Sequence, residues 1–176
     1  MREEIEFKFP VRRPQQLRRQ IRALGFRPAG RRTRERNWIF DQRGRLRRAD
    51  ALLRLRQRGR RWLLTVKGKR RPGPLKRRPE LETAVADGEA CRGLLELLGY
   101  RSVMCYERFR TLWRHPAEAG ELAWDETPFG VYLEIEGTAA WVRRTARGLG
   151  FKPGDAETRS YPELYAAFAR RKPTGS

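Results

Sequence analysis

The chain has 176 residues with 41 Lys or Arg against 21 Asp or Glu, a formal net charge of +20. One His and two Cys exclude a histidine-rich metal centre, a zinc-ligand set and a disulfide framework; no apolar run approaches the ~18 residues that span a bilayer; and the charged, alternating start MREEIEFKF is unlike a secretory signal. The expectation is a cytoplasmic protein with no membrane partner, one domain over residues 1–171 and a frayed tail over 172–176, able to attract an anionic partner.

In chain order, residues 4–9 alternate, with Glu4, Glu6 and Lys8 on one face and Ile5, Phe7 and Phe9 on the other, which predicts a strand. Leu17, Ile21 and Leu24 share one face of a helix over 14–24 that Pro14 can start. Strands follow near 35–41, at Leu53-Arg54-Leu55-Arg56 and over 62–67. Residues 68–79 carry two Gly, three Pro and six cations without periodicity and are expected to form a mobile basic loop. A strand at Arg78-Pro79-Glu80-Leu81-Glu82 leads to a helix over 88–98 capped by Asp87. Tyr106–Arg110 is a strand, a hairpin holding His115 comes next, and strands near 120–126 and at Leu133-Glu134-Ile135-Glu136 precede a helix over 139–149. The last helix, about 161–171, opens with a capping box, Ser160 to Glu163. Three helices end in Leu-Gly-aromatic, at Gly25, Gly99 and Gly150, which is a left-handed stop signal.

The polar faces of these strands are almost wholly ionic, strand after strand. One such strand has an ordinary solvated face. Five of them, each with a helix available to cover the apolar side, predict a sheet whose charged face turns inward on closure, with the apolar core outside. Charges gathered in this way need partners. A polyanion suits the cations, and a hard divalent metal suits the carboxylates, so the residues point to a metal–polyphosphate complex.

Glu4-Ile5-Glu6-Phe7-Lys8 resembles the ExExK motif of the CYTH superfamily, the triphosphate tunnel metalloenzymes. The likeness continues in the family's order. It runs through Asn37–Asp41 with Leu53–Arg56, Thr65-Val66-Lys67-Gly68, Arg78–Glu82, Asp125–Gly130 with Leu133–Gly137, and Ser160-Tyr161 with Glu163-Leu164. Two positions depart from the pattern without losing charge: Arg108-Phe109-Arg110 stands where many relatives have Lys-x-Arg, and Trp124 replaces an aliphatic residue. The resemblance implies an α+β fold, an eight-stranded antiparallel β-barrel with a charged tunnel and flanking helices. It implies chemistry on a triphosphate-containing small molecule with Mg²⁺ or Mn²⁺. Family members include class IV adenylyl cyclases, thiamine triphosphatases, inorganic tripolyphosphatases and RNA triphosphatases.

On this resemblance Glu4, Glu6, Glu134 and Glu136 are expected metal ligands, and Glu80, Glu82 and Asp125 serve a metal or position water. Lys8, Arg54, Arg56, Lys67, Arg78, Arg108 and Arg110 are expected to clamp the triphosphate. The expected reaction is water attacking the γ-phosphate of tripolyphosphate or of a nucleoside or thiamine triphosphate. The alternative on the same fold is a class IV adenylyl cyclase making cAMP and pyrophosphate from ATP. A non-catalytic polyphosphate or nucleic-acid binder is the alternative of another class, favoured by the charge surplus and by the basic loop. His115, Cys91 and Cys105 are read as a solvent-exposed loop residue and two structural thiols, and Tyr161 and Tyr165 as packing residues near one mouth. The oligomeric state is left open, a homodimer included.

Overall fold

The alternating segments close into a barrel. In a computed structural model that describes residues 2–73 and 75–171, the elements are β1 (Arg2–Pro10), α1 (Pro14–Ala23), β2 (Arg27–Pro28), β3 (Thr33–Asp41), α2 (Arg45–Arg48), β4 (Leu52–Arg58), β5 (Arg61–Lys67), β6 (Lys76–Val85), α3 (Gly88–Leu97), β7 (Arg101–Arg114), β8 (Glu121–Thr127), β9 (Gly130–Glu136), α4 (Ala139–Gly148) and α5 (Tyr161–Arg171). Strands pair in the order β7-β3-β4-β5-β6-β1-β9-β8, and a further β8–β7 pairing closes the ring. Neighbours are antiparallel throughout. The eight-stranded barrel expected from the sequence is therefore present. β7 spans 14 residues, enough to pair with β3 along its first part and with β8 along its last. The two-residue β2, which the sequence did not announce, adds to the far end of β7.

The apolar faces of β1, β9, β3 and β4 point outward and are covered by helices. Phe7, Phe9, Leu133 and Ile135 pack with Leu17 and Ile21 of α1 and with Trp141, Val142 and Ala146 of α4. Trp38, Phe40, Leu53 and Leu55 pack against Cys91 and Leu95 of α3. Each fully buried side chain of this size contributes about 1.5–3 kcal/mol, so the core lies between sheet and helices. A third cluster closes one end of the barrel, where Tyr161 and Leu164 of α5 meet Ile39, Tyr106 and Tyr132.

The helix stops follow the sequence signals. Gly25, Gly99 and Gly150 all have φ between 82° and 89°. The next residue's N–H returns to the last turn in each case: Phe26 to Ile21 O, Tyr100 to Leu95 O and Phe151 to Ala146 O. Asp87 caps α3 by accepting from the N–H groups of Glu89 and Ala90, and Ser160 and Glu163 form their capping box at α5.

Two expectations are corrected. The basic segment 68–79 is largely tied down, because β6 already begins at Lys76. Gly68 N–H donates to Pro79 O at 2.8 Å, Arg70 pairs with Asp50 at 2.8 Å, and Leu75 is a buried member of the core. Hydrophobic periodicity missed this strand start because Lys76 and Arg78 face inward and Arg77 and Pro79 outward, leaving no apolar positions to count. His115, expected in solvent, is half-buried with its ring edge-on to Phe26 at 5.5 Å. Residues 172–176, expected to fray, lie outside the described residues, and so does Pro74 of the basic segment. Among the described residues no helix is long and apolar enough to cross a membrane.

Candidate active site

Inward positions from all eight barrel strands converge on one cavity of about 250 Å³. All seven cations expected to clamp a triphosphate line it: Lys8 of β1, Arg54 and Arg56 of β4, Lys67 of β5, Arg78 of β6, and Arg108 and Arg110 of β7. Glu4, Glu6, Glu80, Glu82, Glu134 and Glu136 line it as well. Asp125, fully buried on β8, stands behind the two β7 arginines.

Most of these charges are held by opposite charges on strands one or two places away in the barrel. Arg108 donates to Glu35 at 2.8 Å and to Asp125 at 3.0 Å. Arg110 forks onto Asp125 at 2.6 and 2.5 Å and also reaches Glu134. Lys67 joins Glu4 to Glu80, the latter at 2.9 Å, and Arg78 donates to Glu4 at 3.1 Å. Arg56 donates to Asn37 at 3.1 Å. Thr65 links Arg54 to Glu82, accepting at 3.3 Å and donating at 2.7 Å. Lys8 and Lys76 both donate to Arg159 O, at 3.1 and 3.0 Å.

Ionisation follows these contacts. Burial opposes charge on Glu134, but Arg110 and Lys8 outweigh it and hold the carboxyl well below its ordinary value. Burial and the neighbouring Arg110 disfavour charge on Arg108, yet Asp125, Glu35 and Glu134 keep its pKa above the usual guanidinium value. Burial and Arg54 bring Arg56 down to about 9. Burial lowers Lys76 to about 8 against the pull of Glu6. Both remain mainly charged at neutral pH.

Sequence reasoning missed four participants. Glu35 has no exposed surface and faces Arg108, Arg56 and Arg58, the last two at 3.6 and 3.8 Å. Its place in a Thr-Arg-Glu-Arg-Asn run gave no apolar alternation to mark it. Lys76 was assigned to a loop. Glu121 lines the cavity one strand from Glu136, its register partner. Tyr161 was read as packing. Its hydroxyl donates to Asp125 at 2.5 Å, and Lys8 Nζ sits 3.9 Å from its ring centre.

The cavity wall bears on both expected ligands. Arg54 Nε and Asn37 Nδ2 are buried donors without hydrogen-bond partners among the described residues, and Arg54 lines the wall, as befits an anion site. Among the described residues of that wall, the metal-ligating side chains of the His, Cys, Asp and Glu kind are all carboxylates, a hard oxygen donor set. Among the described residues no three such groups gather closely enough to hold a metal by themselves. Glu6 and Glu136 are direct cross-strand partners, and like charges so placed repel. Two carboxylates suit Mg²⁺ or Mn²⁺, which binds through one or two of them with phosphate oxygens and water completing its shell.

The chain matches the CYTH domain family over residues 2–161. It belongs to that family. No curated protein matches it significantly. Among solved structures, a Pyrococcus horikoshii protein shares 26% identity with a TM-score of 0.78, over 92% of this chain and 98% of that one. A candidate adenylate cyclase from Vibrio parahaemolyticus shares 21% at a TM-score of 0.79, over 93% and 97%. A candidate adenylyl cyclase from Hippeastrum, described as having a dominant triphosphatase activity, shares 17% at 0.71, over 94% and 96%. The last two likenesses show the common fold.

Proposed function

We propose that this CYTH protein, a single unit over residues 1–171, is a divalent-metal-dependent phosphohydrolase in which water attacks the γ-phosphorus of a triphosphate, releasing orthophosphate and a diphosphate. The observation that carries the reading is the convergence of seven sequence-separated cations and six glutamates on one barrel cavity. The activity described for the Hippeastrum protein agrees with it.

Arg54, Arg56, Arg108 and Arg110 present planar forks that match two phosphoryl oxygens each, whereas Lys8, Lys67 and Lys76 act as point charges. Their internal ion pairs are ones a metal–triphosphate complex replaces in kind, phosphate for carboxylate on the cations and metal for cation on the carboxylates. The cost of gathering buried charge is then offset twice. Glu6 and Glu136, with Glu4 and Glu134 adjoining, would hold Mg²⁺ or Mn²⁺, which when bound draws charge from the phosphate oxygens. Glu80 and Glu82, whose side chains are 20% and 35% exposed, orient the water. Asp125 is committed to Arg108, Arg110 and Tyr161, so its part is to aim the arginines.

Phosphate release decides the matter. With Mg²⁺ or Mn²⁺ the full chain is expected to liberate orthophosphate from tripolyphosphate or ATP. Arg56→Ala and Glu6→Ala, checked for folding by circular dichroism, are each expected to lower kcat/KM at least 100-fold. No release from any triphosphate overturns the reading, and cAMP with pyrophosphate from ATP would reassign the protein to cyclisation.

A further inference from the structure

Among the described residues seven large apolar side chains are exposed, and five of them belong to β5, β6 and α3: Val66, Leu81, Leu94, Leu97 and Leu98. Leu97 is 87% exposed. Apolar residues scattered singly over a surface are ordinary, whereas a contiguous group marks a docking surface. We propose that these five side chains form the two-fold interface of a homodimer. The pairing goes beyond the reading above and does not depend on what the barrel binds.

The five share one side of the molecule. Val66 and Leu81 are cross-strand partners on the outer face, and Val66 follows Leu64 at the next outward position, past the ground that α3 covers. The two-residue turn Gly59-Arg60 makes Arg58 and Arg61 a hydrogen-bonded pair. Arg58 points into the cavity. For L-residues this places β5 to the left of β4, and β3 to the right, when β4 is seen from outside rising toward that turn. α3 starts at the top left, with Gly88 against Trp62. It ends at the bottom right, where Leu98 O accepts from Gln42 Nε2 at 3.5 Å. With Cys91 and Leu95 facing the sheet, the right-handed turn of the helix aims Leu94 and Leu98 to the lower left. Val66 and Leu81 stand on that side.

Charge selects a second copy as the occupant. α1 and α4 each carry three Arg and no acid, so two copies meeting there would repel. α3 carries Glu89 and Glu96 with one cation, Arg92, and Asp87 caps it. At the opposite border of the patch, beyond the ends of β5 and β6, Lys69 and Arg71 are exposed and Arg77 takes the outward side of β6. A two-fold axis through the patch lays the acidic helix of each copy toward the basic turn of the other. The same complementarity is then met twice, as an isologous interface requires.

Sedimentation equilibrium of the full chain tests this. At 10 µM in 50 mM NaCl the main species is expected to have twice the 20.7 kDa chain mass. Leu97→Asp and Leu81→Glu, both at exposed positions and checked for folding by circular dichroism, are each expected to weaken the dimer at least tenfold. Val103→Asp, at a position 60% exposed but beside α5, is expected to change it less than twofold. Raising NaCl to 500 mM is expected to weaken the dimer at least threefold, because the opposed charges are screened. A monomer at 100 µM overturns the inference and leaves the patch to a different protein. A dimer that either leucine variant leaves intact, that Val103→Asp weakens equally, or that salt leaves unchanged or tightens also overturns it.

Discussion

Glu35 is completely buried and still charged. Burial disfavours its ionised form, but Arg108, Arg56 and Arg110 outweigh that and hold its pKa far below the ordinary carboxylate value. Its role is to keep the three arginines apart and aimed, since without it they repel one another inside the barrel. Glu35→Gln keeps the shape and removes the charge, and breaking a buried pair from one side costs about 3–5 kcal/mol. The variant is expected to lose about 3 kcal/mol at pH 7 by urea unfolding. A depressed folded pKa gives stability that is fully present above the unfolded pKa and lost as pH falls toward the folded one. The gap between wild type and Glu35→Gln is therefore expected to narrow below pH ~4.3, by about 1.4 kcal/mol per unit. A gap that stays constant from pH 7 to pH 3 would show that the carboxylate's charge is not what matters.

At the scale of elements, the charged interior depends on helices that seat tightly on the outer face. α3 approaches β5 so closely that a Cβ on Gly88 would lie 1.9 Å from the Trp62 ring, which itself stacks on Trp38 at 5.3 Å. Overpacking of this kind costs about 1–3 kcal/mol, sometimes more. Gly88→Ala is expected to cost about 3 kcal/mol and to lower the urea midpoint with the m-value unchanged; a neutral result would mean that α3 lifts off without penalty. The need for glycine here is invisible in the sequence, where Asp87-Gly88 reads simply as a cap and a first turn. What could be read were the strands whose outer positions are apolar: Ile5-Phe7-Phe9, Leu53-Leu55 and Leu133-Ile135 all stand where alternation put them. The start of β6 was hidden because both of its faces are polar. Tyr161 was underread for a related reason, since a tyrosine at a helix start looks like packing until Asp125, 36 residues away, is brought to its hydroxyl.

For the whole molecule, the location of the charge surplus separates two kinds of anion binding. The barrel cavity is nearly balanced, with nine cations against eight glutamates and Asp125 just behind. The formal excess of +20 must therefore sit on the outer surface, on exposed residues such as Arg12, Arg13 and Arg19. Surface charges attract polyanions through counterion release and are screened by salt, whereas pairs inside the barrel are screened far less. Binding of single-stranded RNA, measured by fluorescence anisotropy, is therefore expected to weaken at least 1,000-fold between 50 and 200 mM NaCl. Tripolyphosphate turnover over the same range is expected to lose less than tenfold in kcat/KM. If both fell in parallel, the phosphate-binding charges would have to lie on the exterior. A triphosphate would then be one more surface ligand instead of a guest of the barrel.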